Sequence, residues 1–356
     1  MPPCAFSAFV SLILCFGLSP SNAEQFSHWY SFYSTTLLHV AGPKCYPNYT
    51  VGEFPEYAKY AAVRELNICK SMATCLLQNI DDFDKADMQS ATIILGLMPT
   101  ILSYVSPTVG EMALISSRRP VLATLLVLGA PAIFATRPFD FNNPRESLKK
   151  DVGTFVLHKQ SPFRATITTI AQYLLLSLAV TNCLLNSVQL GSSTILSWKC
   201  SWSYLQLGWN FMPLAPHLCA ALSSRYSKIY RRTSREGALE GAVSGFLVKW
   251  FWNELKPSAN HAKLDFNTSM PDGRLAVCLN CFAVMLGYAH WIFGTLLFSS
   301  ALFIGTLDAF GVIARYLASA LICRTVLLIE IAGIRGVEEA QTAICDEQSS
   351  VGAEKG

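Results

Sequence analysis

Tyr173-Leu174-Leu175-Leu176 lies inside a run, residues 165–198, that contains no Asp, Glu, Lys or Arg. A run of that length exceeds the about 18–20 residues a helix needs to cross about 30 Å of hydrocarbon. Four more uncharged runs accompany it, at 88–110, 120–136, 200–224 and 276–307. They explain a composition that is 52% hydrophobic but only 14% charged over 356 residues, against about 25% charged for an ordinary soluble domain. A mean hydropathy of +0.35 agrees. The pattern predicts an all-α, multi-pass transmembrane helix bundle over 88–335, and it excludes a soluble enzyme, a disulfide-dense miniprotein and a disordered chain. A net charge of +3 is too small to make nucleic acid a natural partner. The partner the composition names is the lipid bilayer.

Six membrane-length helices are expected near 90–112, 119–136, 165–188, 204–222, 277–299 and 307–331. Pro99 and Pro107 interrupt the first, Gly129-Ala130-Pro131 the second, and Pro213 and Pro216 the fourth. Trp198, Trp202 and Trp209 read as part of an interfacial aromatic belt.

Upstream, residues 1–23 read as a secretory signal, with an apolar core from Ala5 to Leu18 and small residues Ser21-Asn22-Ala23 before Glu24. Residues 24–87 then form a small, partly helical lumenal segment carrying Cys45, Cys69, Cys75 and the sequon Asn48-Tyr49-Thr50. This combination places the chain in the secretory pathway, between endoplasmic reticulum and plasma membrane. Apolar residues from Ala58 to Leu76 recur at helical spacing behind Pro55. On that helix Cys69 and Cys75 are about 600° apart and point in different directions, so they do not bond each other. Three cysteines leave one needing a partner elsewhere; Cys200 is the best outside candidate, provided its loop is also lumenal. Residues 336–356 read as a disordered tail.

The positive-inside rule conflicts with six full crossings. From a lumenal 24–87 they put only Arg118, Arg119 and Lys199 in cytosolic loops, while 137–164 and 225–274 hold fifteen basic residues on the other side. Three repairs exist. The pair 90–136 crosses only once, its Pro-broken part re-entrant and satisfied by protein burial; or 1–23 is an uncleaved anchor, which makes a receptor-like seven-span protein; or the fourth segment does not cross. The first puts Cys200 in the lumen and makes the lumenal cysteines even in number.

Candidate chemistry is sparse. The loop 223–275 opens on a basic run, Arg225, Lys228, Arg231, Arg232 and Arg235, followed by an amphipathic pattern near 238–256 that includes Trp250 and Trp252. That combination suits a helix on an anionic leaflet. Asn267-Thr268-Ser269 is a second sequon, placed by charge on the wrong side for glycosylation. Glu111, His217, His290, Asp308, Arg315 and Arg324 are candidates for an intramembrane polar site, with Glu330 close by, because charge in hydrocarbon pairs or lines a cavity. Arg315 and Arg324 are nine residues apart, half a turn out of phase, and cannot share one narrow face. Cys278-Leu-Asn-Cys281 has CxxC spacing without a second pair for zinc. Serine-hydrolase, zinc-protease, P-loop and dinucleotide signatures do not occur, so no cofactor or metal is called.

Several stretches resemble an uncharacterised family of multi-pass membrane proteins from filamentous ascomycete fungi. They are Asp87-Met-Gln-Ser-Ala91 leading into Gly96-Leu-Met-Pro-Thr100, Arg118-Arg-Pro120 with Leu128-Gly-Ala-Pro131, Phe293-Gly-Thr295, and 314–324 from Ala314 to Arg324. The resemblance implies that the broken first hairpin and the Arg-bearing last helix belong to one design. It brings no activity and no catalytic residues. The expected function is small-ligand binding or transport, or membrane scaffolding, with the ligand or protein partner unidentified. A membrane-embedded enzyme and the seven-span receptor are the alternatives.

Overall fold

A computed structural model describes residues 28–45, 65–133, 157, 159–200, 202–226, 252–261 and 273–353. Asn48, Asn267, Lys228, Arg231, Arg232, Arg235 and Trp250, with most of the amphipathic stretch near 238–256, lie outside the described residues. Helices dominate: after turns of helix over 31–45 come α1 (Glu65–Gln78), α2 (Asp82–Val105), α3 (Val109–Arg118), α4 (Pro120–Gly129), α5 (Pro162–Ser193), α6 (Leu205–Phe211), α7 (Leu214–Tyr226), α8 (Arg274–Ser299) and α9 (Thr306–Ala353). Two two-residue strands, β1 (Ile195–Leu196) and β2 (Ala301–Leu302), pair antiparallel, Ile195 opposite Leu302. Four helices are long and apolar enough to cross a membrane: α2, α5, α8 and the Thr306–Val337 part of α9.

Two of the six expected spans take another form. The segment expected at 119–136 yields only the ten residues of α4, about 15 Å of helix, because Gly129, Ala130 and Pro131 stop it where the backbone turns extended. The segment expected at 204–222 is split into α6 and α7 around Met212 and Pro213. At the other end α9 runs to Ala353, where a disordered tail was expected; residues 337–351 contain neither Pro nor Gly to halt a helix.

The chain divides into two compact units. Unit one comprises Met1–Tyr104, Thr181–Met212 and Ala289–Ser319; unit two comprises Val105–Val180, Pro213–Tyr288 and Ala320–Gly356.

In unit one a cap packs Tyr33, Leu37, Met72, Leu76 and Ile80 against Met88, Ile195 and Phe303. Disulfides Cys45–Cys75 and Cys69–Cys200 lock it, with Cα separations of 5.8 and 5.9 Å. Cys69 and Cys75 indeed take different partners, as their helical phase requires. Tyr33 donates its hydroxyl hydrogen bond to Asp87 at 2.7 Å, and the same carboxylate accepts from the Thr306 N–H. The centre of the unit is Trp209. It is fully buried, stacked on His290 at 4.8 Å and edge-on to Phe298 at 4.9 Å, so it belongs to the bundle interior rather than to an interfacial belt. Trp198 keeps the belt character, 44% exposed with its indole N–H on Ser300 Oγ.

In unit two the chain makes a partial excursion. Thr108 and Glu111 form a reciprocal capping box that starts α3. Arg119, preceding Pro120, is forced out of the helical region (φ −131°, ψ 76°) and ends it. Pro120 then opens α4 at its first position, where a missing N–H costs nothing. Arg119, at the head of α4, touches Glu330 on α9. At the tail, a Cβ on Gly129 would stand 2.6 Å from Cys323 Sγ and 3.3 Å from Ala179, so only glycine permits this approach. By Leu157 the chain is back beside Ala332. Thus α4 climbs α9 from residue 330 to residue 323, about 10 Å, and the chain returns to its starting level. Its backbone polar ends are wrapped by protein: Gly129, Ala130, Pro131, Ala132 and Ile133 are all buried.

Candidate functional site

The six polar candidates fall into both units and do not form one constellation. In unit one, His290 sits against the Trp209 carbonyl, its Nε2 3.1 Å away, and Asp308 accepts from the Phe32 N–H and Ser31 hydroxyl at 3.4 Å. Arg315 donates to Asn182 Oδ1 at 3.1 Å and Gln189 Oε1 at 2.7 Å. In unit two, Arg324 pairs with Glu111 at 2.8 Å, the carboxylate that also caps α3, and His217 lies buried on α7. Arg315 and Arg324 thus face different neighbours, α5 and α3, as their phase demands. Among the described residues no group of three His, Cys, Asp or Glu could hold a metal. Arg225 falls within α7, and Trp252 is 61% exposed beside the buried Glu254.

The densest polar cluster lies elsewhere in unit two and is centred on Arg119, whose side chain is fully buried. The α3–α4 break throws this side chain inward. Its Nη1 donates to both Glu330 Oε1 and Gln172 Oε1 at 2.7 Å, and its Nε donates to the Glu254 carbonyl at 2.9 Å. Gln172 Nε2 donates to the same Glu330 oxygen at 2.6 Å, and the Ser258 N–H to the other at 3.1 Å. Arg118 donates to the Ser258 carbonyl at 3.0 Å. The guanidinium also lies 5.5 Å above the Tyr173 ring.

Glu254 completes the cluster. Its Oε1 accepts from the Leu122 N–H at 2.9 Å and the Tyr173 hydroxyl at 2.8 Å. Burial pushes this carboxyl above the usual carboxylate range, against the pull of those donors and of Arg119. Burial also holds the nearby His261 imidazole down at about 4. Among the described residues, Arg119 Nη2 and Glu254 Oε2 make no hydrogen bond.

The pKa sign gives a test. A carboxyl raised in the fold contributes stability that is present below its unfolded pKa and lost as pH rises through the folded value. Glu254→Gln keeps the acceptor for Leu122 and Tyr173 but removes the ionisation. Its stability relative to wild type is therefore expected to grow with pH above the ordinary carboxylate range, by at most about 1.4 kcal/mol per pH unit. Thermal unfolding across pH 5–9 reads this, and parallel curves for the two proteins would refute an upward shift of Glu254.

Sequence reasoning saw Arg118 and Arg119 as a short loop, Glu254 as part of a surface helix, and Glu330 as one charge among several. The available signal was Arg-Arg-Pro set between two apolar runs, which leaves no exposed loop to hold the charge. Compared with known protein families, curated proteins and solved structures, the chain matches none.

Proposed function

We propose that this is an integral membrane protein of the secretory pathway that binds, and in binding moves, a small monovalent anion at the Arg119 cluster. One observation carries the reading: Arg119 Nη2, a donor on a fully buried guanidinium, makes no hydrogen bond among the described residues. An unmatched buried donor is costly, and an anion supplies the acceptor. Broken helices beside such a group, here α3–α4, are the usual architecture of a ligand site within a membrane bundle.

The topology in this reading has five crossings: α2, α5, α6 with α7, α8 and α9, with α4 a re-entrant half-helix. Two features support it. The start of α2, the end of α5 and the turn from α8 to α9 share a unit with both disulfides, and this reading assigns that end to the lumen. The basic segments 137–164 and 225–274 lie between α4 and α5 and between α7 and α8 in sequence, ends that this reading assigns to the cytosol. This also fits the fungal membrane family that the chain resembles, since Arg118-Arg-Pro120 and the stretch ending at Arg324 build the α3–α9 contact.

The test uses the full chain in lipid nanodiscs at fixed ionic strength, with acetate or chloride set against the bulky anion gluconate. Saturating small anion is expected to raise Tm, with stabilisation following RT ln(1 + [L]/Kd), and the increment disappears in Arg119→Lys. Equal Tm in all three salts would overturn the anion reading. Membrane scaffolding would then lead, favoured by the pairing of Arg324 with Glu111 and of Arg315 with Asn182 and Gln189.

A further inference from the structure

Nine of the ten described cysteines divide sharply, the tenth being Cys345 near the end of α9. Cys45, Cys69, Cys75 and Cys200 form the two disulfides of unit one. Cys183 and Cys323 are buried thiols outside them, Cys219 is half-buried, and Cys278 is an exposed free thiol with Cys281, also free, at intermediate exposure one turn on.

The position of Cys278 on α8 gives the exposure a meaning. Ala276, Ala283 and His290 are buried on one face of this helix. Leu275, Phe282, Met285, Ile292 and Leu296 are each more than half exposed, and Cys278 falls among them at spacings of three and four residues, the period of a single helical face. In a helix apolar enough to cross the bilayer, that outward apolar stripe is the lipid-facing one. Cys278 and Cys281 sit on the first two turns, next to Arg274, the end at which α8 enters the membrane in the topology proposed above. A thiol there lies at the depth of the headgroups, within reach of both the aqueous phase and the acyl chains.

We propose that Cys278, with Cys281 as a second acceptor, is a site of reversible S-acylation by a long-chain fatty acid. The thiolate attacks the carbonyl of a long-chain acyl-coenzyme A thioester held by a membrane acyltransferase. A new carbon–sulfur bond forms on Cys278, the bond from the carbonyl to the coenzyme A sulfur breaks, and coenzyme A leaves as its thiol with the proton taken from cysteine. Redox state is unchanged. The attached chain lies along the stripe formed by Phe282, Met285, Ile292 and Leu296, adding about 0.8 kcal/mol of membrane anchoring per buried methylene. Juxtamembrane cysteines are ordinary targets of this chemistry. The proposal rests on the orientation in which the Arg274 end of α8 faces the cytosol, where acyl-coenzyme A is found.

The experiment feeds cells that express the full chain with an alkyne fatty acid and reads label on the purified protein with and without hydroxylamine, which cleaves thioesters. Wild type is expected to carry hydroxylamine-sensitive label. The label falls by more than half in Cys278→Ser, reaches the background of unfed cells in the Cys278→Ser/Cys281→Ser double variant, and is unchanged in Cys323→Ser. After hydroxylamine has freed the thiol, a membrane-impermeant maleimide on intact vesicles reports separately which side Cys278 faces. Absence of label on a Cys278 that reacts from the cytosolic side would overturn the acylation proposal and leave the topology standing. Reaction only after permeabilisation would overturn both.

Discussion

Arg119→Met is expected to destabilise the protein by about 3–5 kcal/mol, the range found when one partner of a buried ion pair is removed. The change strips Glu330, 1% exposed at its side chain, of its cation, and leaves Gln172 Oε1 and the Glu254 carbonyl without the donors they now have. The loss is therefore the cost of orphaned groups more than the worth of the pair itself. A second variant separates the two. In Arg119→Met/Glu330→Met the uncompensated carboxylate is gone, and buried ion pairs replaced by apolar groups are often neutral or better. The double variant is expected to recover more than half of the lost stability. Unfolding midpoints in detergent for the four members of the cycle decide this. A double variant as damaged as the sum of its singles would mean that Arg119 and Glu330 do not act as a pair. Arg324→Met serves as a contrast, because its guanidinium is 26% exposed and partly solvated ion pairs contribute about 0–1 kcal/mol.

The next largest effect is expected from Cys69→Ala, and equally from Cys200→Ala. Loss of a native disulfide in a small domain costs about 2–5 kcal/mol, and this one ties the cap helix α1 to the loop after β1. The loss should be local. Cys45–Cys75 joins residues 30 apart and survives, so non-reducing peptide mapping finds one bridge instead of two. Protease then cuts within residues 28–78 while α5, α8 and α9 remain intact. Cutting at the same rate as in wild type would show that the apolar contacts of Tyr33, Leu37 and Met72 hold the cap unaided.

Much of this architecture could be read from the residues. Uncharged runs mark the long helices because hydrocarbon admits nothing else, and Pro107, Pro120, Pro131 and Pro213 mark the breaks because proline cannot continue a helix from within. Helical phase alone kept Cys69 from Cys75 and put Arg315 and Arg324 on different faces. The fate of 120–136 was harder to read. Its composition is that of a span, and hydropathy does not record that Gly129 meets Cys323 and that the chain turns back. The Arg119 cluster was out of reach for another reason. Its members are separated by 135 residues from Arg119 to Glu254 and by 211 from Arg119 to Glu330, so no local spacing announces them. Glu254 in particular lies in a pattern whose polar residues suit a water-facing side, and only the packing of residues 252–261 against α4 and α5 turns it inward.

The bridge between Cys69 and Cys200 also sets an order of events during synthesis. The two cysteines are 131 residues apart, which at about 5–20 residues per second is roughly 7–26 s of translation. Throughout that interval Cys69 exists without its partner, while Cys45 and Cys75 are both already made and free to join. The strand pair adds a second wait, because Ile195 and Leu196 meet Leu302 and Ala301 only after a further stretch of the chain has emerged. The cap is thus begun before α5 and α8 are made and is finished only after them. A slowed ribosome, or an oxidant that acts too early, would favour the wrong cysteine pairs before Cys200 arrives.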